Sequence, residues 1–291
     1  MFSVFSLMLN EISERGRNRY ETQIMTLNLR YDKPDPGDLA WKVRCKAVAA
    51  MITHYTPDVI GTQEALPHQL FDLLQRLPAY QCVGGDRTGR GTGEHCAIFY
   101  RIEQLLCISN GDFFLSDTPD IPGSISGEWG NPIPRMTSWA VFAGSDESRF
   151  SVFNTHLDYR SARARELGAQ LIFQRMSEVN SAESLLLLTG DFNAEPATTP
   201  RETFLRQLPN EVQLFDVFAG IELEDQMTFH DFTGEGFAAV DTIYYDSRLM
   251  LQQVTADTAQ WEKVWPSDHF PIIAEFTVDA QLNTNLEVSL G

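Results

Sequence analysis

The stretch LLLLTGDFNAEP at 185–196 ends an apolar run in three oxygen-bearing side chains, Asp191, Asn193 and Glu195, spaced two apart. Side chains of a strand alternate faces with period 2, so at the exit of a buried strand these three share one face and project from the sheet edge. Other apolar runs finish the same way. MTLNLR holds Asn28, DVIGTQE ends in Glu64, VFNTHLD delivers Asn154, His156 and Asp158, AAVDTIYYD inserts Asp241, and PSDHFPIIAEF sets Asp268 and His269 before its apolar residues.

Each group alone has an ordinary structural reading: Asn28 a turn amide, Glu64 a capping carboxylate, His156 a core histidine, Asp268 an N-cap or turn residue. Together, so many polar groups at strand ends need a common cause, because a buried carboxylate without a partner is strongly disfavoured. An oxygen-rich set of Asp and Glu selects a hard cation, Mg²⁺ or Mn²⁺ over Zn²⁺. A histidine beside such carboxylates holds or polarises a phosphate oxygen, or is oriented by an aspartate for proton transfer. This is equipment for metal-assisted hydrolysis of a phosphate ester.

The elements that must position these groups follow from periodicity. TQIMTLNLR (22–30) alternates as a strand, and 39–55 carries apolar residues at helical spacing. Residues 58–64 read as a buried strand and 67–77 as a helix with Pro67 in its first turn, giving a βαβ opening. Strands follow at 95–101, 104–115, 137–144 and 149–157, then a helix at 162–180 and strands at 184–192, 236–246 and 271–278. That mixture indicates an α/β or α+β chain with two sheets. Residues 116–136, rich in Pro and Gly without hydrophobic period, form a long loop that suits either a lid over a site or a passive surface. The expected organisation is an N-terminal extension over 1–21, one domain over 22–280 and a C-terminal tail over 281–291.

In this order, LNLR with Asn28, GTQE with Glu64, NTHLD with His156, GDFNAEP with Asp191 and Asn193, DTIYY with Asp241 and SDHFPI with Asp268 and His269 resemble the motif series of the endonuclease/exonuclease/phosphatase superfamily. The resemblance implies a four-layer α/β sandwich, with two mixed β-sheets packed face to face, helices outside, and the site at one end of the sheets. It implies Glu64 as the main Mg²⁺ ligand, with Mn²⁺ as a substitute, helped by Asn28 and Asp268. Asp191 would orient or deprotonate the attacking water, and Asn193 would hold the phosphate or the nucleophile. His269, its ring fixed by Asp241, would contact the scissile phosphate, and His156 would bind a phosphate oxygen. The implied activity is Mg²⁺-dependent hydrolysis of phosphate monoesters or diesters by direct attack of a metal- and Asp-activated water. A nuclease for RNA or single-stranded DNA is the alternative, and a non-catalytic binding module on the same fold is a third reading.

Bulk properties narrow the substrate. A net charge of -18 and a pI near 4.6 argue against affinity built on neutralising many phosphates of duplex DNA. Four lysines stand against eighteen arginines, whose planar forks suit bidentate binding of phosphate or carboxylate. Arg160, Arg163 and Arg165 follow His156, and Arg87 and Arg90 lie in a glycine-rich loop; either group grips a phosphate or forms a solvated face. Glu94, before AIFYR, is a second acidic group near the metal or a strand-edge residue. Substrate contacts are expected at Arg165, Arg160, Glu94 and Asp158. Trp129, Trp139, Trp261, Trp265 and Phe270 form a stacking wall for a base or belong to the core.

Cys45, Cys82, Cys96 and Cys107 make no C-x-x-C pair and lack zinc-site spacing, so they read as free thiols of a reducing compartment. The first twenty residues lack the pattern of a secretory signal, and no run reaches the roughly 18 apolar residues of a membrane span. A cytoplasmic protein is expected.

Overall fold

The four leucines at 185–188 are buried because a layer covers each face of their strand. In the computed structural model, which describes residues 19–279 except 145–147, 180, 182 and 210, Leu185 and Leu187 pack toward a second sheet. Leu186 and Leu188 pack toward a helix instead. The elements in chain order are β1 (Arg19–Asn28), α1 (Trp41–Tyr55), β2 (Val59–Gln63), α2 (Pro67–Arg76), β3 (Tyr80–Val83), β4 (Ile98–Arg101), β5 (Leu105–Phe114), β6 (Met136–Gly144) and β7 (Arg149–His156). They continue with α3 (Ala162–Val179), β8 (Leu185–Asp191), α4 (Thr199–Thr203), β9 (Leu214–Asp216), β10 (Asp241–Asp246), β11 (Leu249–Ala256) and β12 (Ile272–Asp279).

Two mixed six-stranded sheets result, ordered β11-β12-β1-β2-β4-β3 and β5-β6-β7-β8-β10-β9. The pairs β1–β2 and β7–β8 are parallel and every other pair is antiparallel. Helices α1 and α2 bury Val48, Ile52 and Leu73 against Met25, Ile60 and Phe99 on the outside of the first sheet. Helix α3 buries Ile172 and Met176 against Phe153, Leu186 and Tyr244 on the outside of the second. The architecture is the expected four-layer α/β sandwich.

Between the sheets, period-2 rows run from apolar to polar. Ile24 leads to Thr26 and Asn28, Val59 to Gly61 and Gln63, Val152 to Asn154 and His156, and Leu187 to Thr189 and Asp191. The apolar ends form the shared core. Midway, a hydrogen-bond network ties the sheets together: Gln63 Nε2 donates to Asn154 Oδ1 at 2.7 Å, Thr189 Oγ1 donates to the same oxygen at 3.1 Å, and Asn154 Nδ2 donates to the carbonyls of Thr62 and Ala97 at 2.8 and 3.0 Å. Asn154 is therefore a sheet-bridging residue, and its polarity at a strand end is accounted for structurally.

Three strands, β3, β9 and β11, and the single-turn α4 were not legible in the sequence. The first two are short edge strands of four and three residues. Strand β11 is an edge strand with a bulge between Leu251 and Gln253 that breaks its alternation. Strand β1 begins at Arg19, so residues 19–21 belong to the sheet rather than to the expected extension. The rest of that extension and the expected tail over 281–291 lie outside the described residues. The four cysteines are unpaired. Among the described residues, no helix is long and apolar enough to cross a membrane.

Gly61 sits where the network leaves no room: a Cβ there would come within 2.0 Å of Thr189 Oγ1 and 2.8 Å of Asn154 Oδ1. Gly61→Ala should therefore destabilise the protein by about 1–3 kcal/mol, the usual cost of overpacking a close-packed interior. Urea denaturation of the two proteins checks this, and equal midpoints would refute the inter-sheet contact.

Candidate active site

Where the inner rows end, an open cleft of about 410 Å³ forms. Eight of the residues singled out in the sequence line it: Glu64, Arg87, Glu94, His156, Asp191, Asn193, Asp268 and His269. Asn28 and Asp241 stand directly behind them. A larger cleft, about 530 Å³, lies at the start of β1 among Glu21, Gln23, Asp58 and Glu275, and contains no histidine.

Three non-glycine residues at strand exits take left-handed backbone angles: Arg30 with φ 55°, Glu64 with φ 66° and Asn193 with φ 46°. Such conformations cost of order 1–3 kcal/mol each and persist only where surrounding contacts enforce them. At Glu64 the consequence is specific. Gln63 faces the inter-sheet network, so continued alternation would turn Glu64 outward; the left-handed turn aims it into the cleft instead.

Asn28 joins the two sheets at the site. Its Nδ2 donates to Glu64 Oε1 at 3.1 Å and to Asp191 Oδ2 at 3.0 Å, while its Oδ1 accepts the Arg30 amide at 2.9 Å. Glu64 Oε2 also accepts the Tyr31 amide at 3.1 Å, and Asp191 Oδ1 accepts the Asn193 amide at 2.9 Å. His269 Nδ1 meets Asp241 Oδ2 at 2.8 Å, leaving Nε2 turned toward Asp191 Oδ2, 4.0 Å away. His156 Nε2 lies 3.4 Å from that same oxygen. Arg30 Nη1 pairs with Asp268 Oδ2 at 3.1 Å.

The two histidines are driven to opposite charge states. Burial opposes a charged His269, but Asp241, Asp191 and Asp268 outweigh it and hold the ring up at about 10. Burial, together with the charges of Arg135, Arg87 and His269, holds His156 well below the ordinary histidine range. Burial also raises Asp191, with Asp241 adding to the effect, and raises Asp268, with Glu64 adding. Glu94 is pushed up to about 7 by burial and by Glu64.

This crowding bears on whether the residues fit a divalent cation. Among the described residues, Asp191, Asp241 and His269 bring ligand atoms within 4.8 Å of one another. The His269–Asp241 bond, however, already engages Nδ1 and Oδ2, and Asp241 does not line the cleft. An ion entering the cleft meets the hard oxygen donors Glu64 and Asp268, whose repulsion it would relieve, with Asp191 beside them. The donor set fits Mg²⁺ or Mn²⁺. Asn28 presents its amide nitrogen to Glu64 and Asp191 and orients them; its oxygen accepts the Arg30 amide.

The structure does not bring Arg160, Arg165 or Asp158 into the cleft wall. Asp158 Oδ1 accepts the Arg160 and Ser161 amides at 2.9 and 2.7 Å, turning the chain into α3, and Arg165 Nη1 donates to the Asp158 carbonyl at 2.9 Å. Arg160 stacks on Tyr159 outside the lining. The arginines that do line the cleft are Arg30, Arg87 and Arg135. Arg30 and Arg135 flank strand ends, the same signal that marked the carboxylates. Arg87 is held by a loop folded around Asp86, whose carboxylate accepts the amides of Thr88, Gly91 and Gly93. The loop 116–136 contributes Ile133 and Arg135 to the wall and is anchored by buried Trp129, whose Nε1 donates to Asp117 Oδ1 at 2.9 Å. None of the four tryptophans and Phe270 considered for stacking lines the cleft; Tyr31, Tyr159 and Phe229 do, unmarked by any sequence pattern.

Residues 25–269 match the Endonuclease/Exonuclease/phosphatase family over most of the chain. The chain belongs to that family. Its members are hydrolases acting on phosphate esters and generally use divalent metal ions. An endonuclease/exonuclease/phosphatase family protein from Bacteroides thetaiotaomicron is 30% identical with a TM-score of 0.80, covering 90% of this chain and 99% of its own. A mannosyl-6-phosphatase from the same organism is 30% identical with a TM-score of 0.78, covering 88% and 99%. The human Nocturnin catalytic domain shares the fold at 19% identity and a TM-score of 0.70, covering 91% and 98%. No curated protein matches in sequence.

The Glu94 carboxyl gives a pH test of the crowding. Its folded value is raised from 4.5 to about 7, so the stability it contributes is present below 4.5 and is lost as pH rises through about 7. Melting curves of the metal-free protein should show Glu94→Gln gaining on the parent between pH 5 and 8. A constant difference across that range would mean the cluster is not crowded.

Proposed function

We propose that the protein is a divalent-cation-dependent phosphoric ester hydrolase whose substrates are small phosphate monoesters on a polyhydroxylated leaving group, such as hexose phosphates. The observation that carries the leaving-group reading is the pairing of the cleft arginines. Arg87 bonds Glu94, Arg135 lies 3.7 Å from Asp158, and Arg30 pairs with Asp268. Arg87 and Arg135 each have a carboxylate beside them, Glu94 in the wall and Asp158 behind it, while Arg30's partner Asp268 belongs to the cation site; beyond the phosphate site the wall therefore offers donors whose charge is largely offset. Hydroxyls match such a wall better than a polyanion does. The 30% identity to a mannosyl-6-phosphatase supports the same reading.

In this reading Asp191 orients the attacking water and takes its proton, a role for which a raised carboxyl is better matched near neutral pH. Asn28, the Asn193 amide and His156 fix the Asp191 carboxylate. His269, kept charged by Asp241, donates from Nε2 to a phosphoryl oxygen as charge builds there. Glu64 and Asp268 hold the cation, helped by Asn28, which aligns Glu64. When bound, the cation polarises the phosphoryl oxygens and offsets several kcal/mol of transition-state charge. A nuclease for single strands is the second reading, favoured by Tyr159, half exposed beside the cleft and able to stack on a base.

Hydrolysis of an aryl phosphate, a bis-aryl diester, hexose 6-phosphates and a single-stranded oligonucleotide, each with Mg²⁺ or with chelator, tests these readings. Monoesters should be preferred, chelator should abolish turnover, and Asp191→Asn should lower kcat about 10²–10⁴-fold. Arg87→Gln should raise KM for hexose phosphate while leaving that for the aryl phosphate near its original value. Preference for the oligonucleotide would select the nuclease reading, and chelator-resistant turnover would sink the metal-dependent one.

A further inference from the structure

We propose that Arg44 is a positioning residue for the cleft, setting the spacing between the two backbone segments that carry Arg30–Tyr31 and Asp268–His269. The proposal rests on the metal-site reading above. Arg44 lies in α1 and is completely buried, and its hydrogen bonds go to carbonyl oxygens. Nη1 donates to Leu29 O at 2.9 Å and to Pro266 O at 2.8 Å, Nη2 donates to Arg30 O at 3.1 Å, and Nε donates to Leu39 O at 2.7 Å. The rings of Trp41 and Phe232 flank the guanidinium, each 5.5 Å from its carbon.

The carbonyls it gathers belong to the two chain segments that feed the site. Leu29 and Arg30 follow Asn28 and precede Tyr31, whose amide binds Glu64. Pro266 precedes Ser267, whose hydroxyl meets Asp268 Oδ1 at 3.2 Å. A single nitrogen, Nη1, binds one carbonyl from each segment, so the separation of Glu64 from Asp268 is coupled to the width of one guanidinium. Gln69 Nε2 donates to the same Arg30 carbonyl at 3.0 Å and fixes that segment from α2. The buried positive charge also faces Asp268, the foremost of the carboxylates that offset its burial. A lysine cannot reproduce the arrangement, because its donors radiate from one point and lack the planar fork.

Calorimetric titration of the full chain with Mn²⁺, run beside hydrolysis of an aryl phosphate, tests the role. Arg44→Lys should weaken Mn²⁺ binding about 10- to 100-fold, the range seen when groups supporting metal ligands are lost. Phe232→Leu, on a half-exposed loop, should weaken it by a smaller factor. Met51→Ala, in the core face of the same helix, should lower the melting temperature but bind Mn²⁺ as the parent does. Parent-like affinity in both Arg44→Lys and Phe232→Leu would overturn the proposal, as would an equal loss in Met51→Ala. Should Arg44→Lys fail to fold, Phe232→Leu decides alone. Failure of the parent itself to bind Mn²⁺ would instead bring down the metal-site reading, and this proposal with it.

Discussion

Two carboxylates from different sheets, the half-buried Glu64 and the buried Asp191, meet at one amide. Asn28 donates to Glu64, which follows β2 in the first sheet, and to Asp191, which ends β8 in the second. The Asn28–Glu64 bond lies within the first sheet, but the Asn28–Asp191 bond crosses between sheets and does not survive a slip of one against the other, so the site exists only if the sheets are locked in register. The lock lies one layer deeper, in the bonds from Gln63 and Thr189 to Asn154 and in the absence of a side chain at Gly61. Apolar packing between the sheets supplies adhesion without direction. The polar layer supplies direction, because each of its groups is buried and would be costly to leave unsatisfied.

This layering explains what was legible in the sequence. A residue whose role depends on strand parity was readable: Asn28, His156, Asp191 and Asp241 follow their strands' inner-facing positions to the end. Glu64 was found by motif, but its aim could not be derived from alternation, since a left-handed turn reverses the face it would take. The arginines divided along the same line. Arg160 and Arg165 are near His156 in sequence, yet Asp158 turns the intervening chain into α3 and carries both away. Arg135 does flank a strand end, just before β6, but it reaches the cleft through a loop anchored by buried Trp129, and that placement is a tertiary one.

Function is held here at a cost to stability. Three side chains stand on left-handed backbone, and burial raises Asp191, Asp268 and Glu94, with Asp241 behind the cleft adding at Asp191 and Glu64 adding at the other two. A hydrophobic replacement of these groups would make a more comfortable protein end. The strain is borne by surrounding contacts: the Tyr31 amide on Glu64, the Asn193 amide on Asp191, and the arginine at the start of α1 that gathers carbonyls behind both loops.

The same crowding separates the two histidines, and in the proposed reading that separation lets one cleft contain both a proton acceptor and a donor. His269 touches Asp241 directly and lies near Asp191, so its charge is welcomed by neighbours of opposite sign. His156 reaches the same Asp191 oxygen but sits among Arg135, Arg87 and the charged His269, and stays neutral. Asp191 thus has a cation on one side and a neutral ring on the other. For the proposed reaction, two charged rings would pull the aspartate down and weaken it as a proton acceptor near neutral pH, and two neutral rings would leave none to answer charge developing on a phosphoryl group. Opposite states follow from which partner each imidazole meets first, and that choice is fixed by the parity of β7 and β10 at the sheet ends.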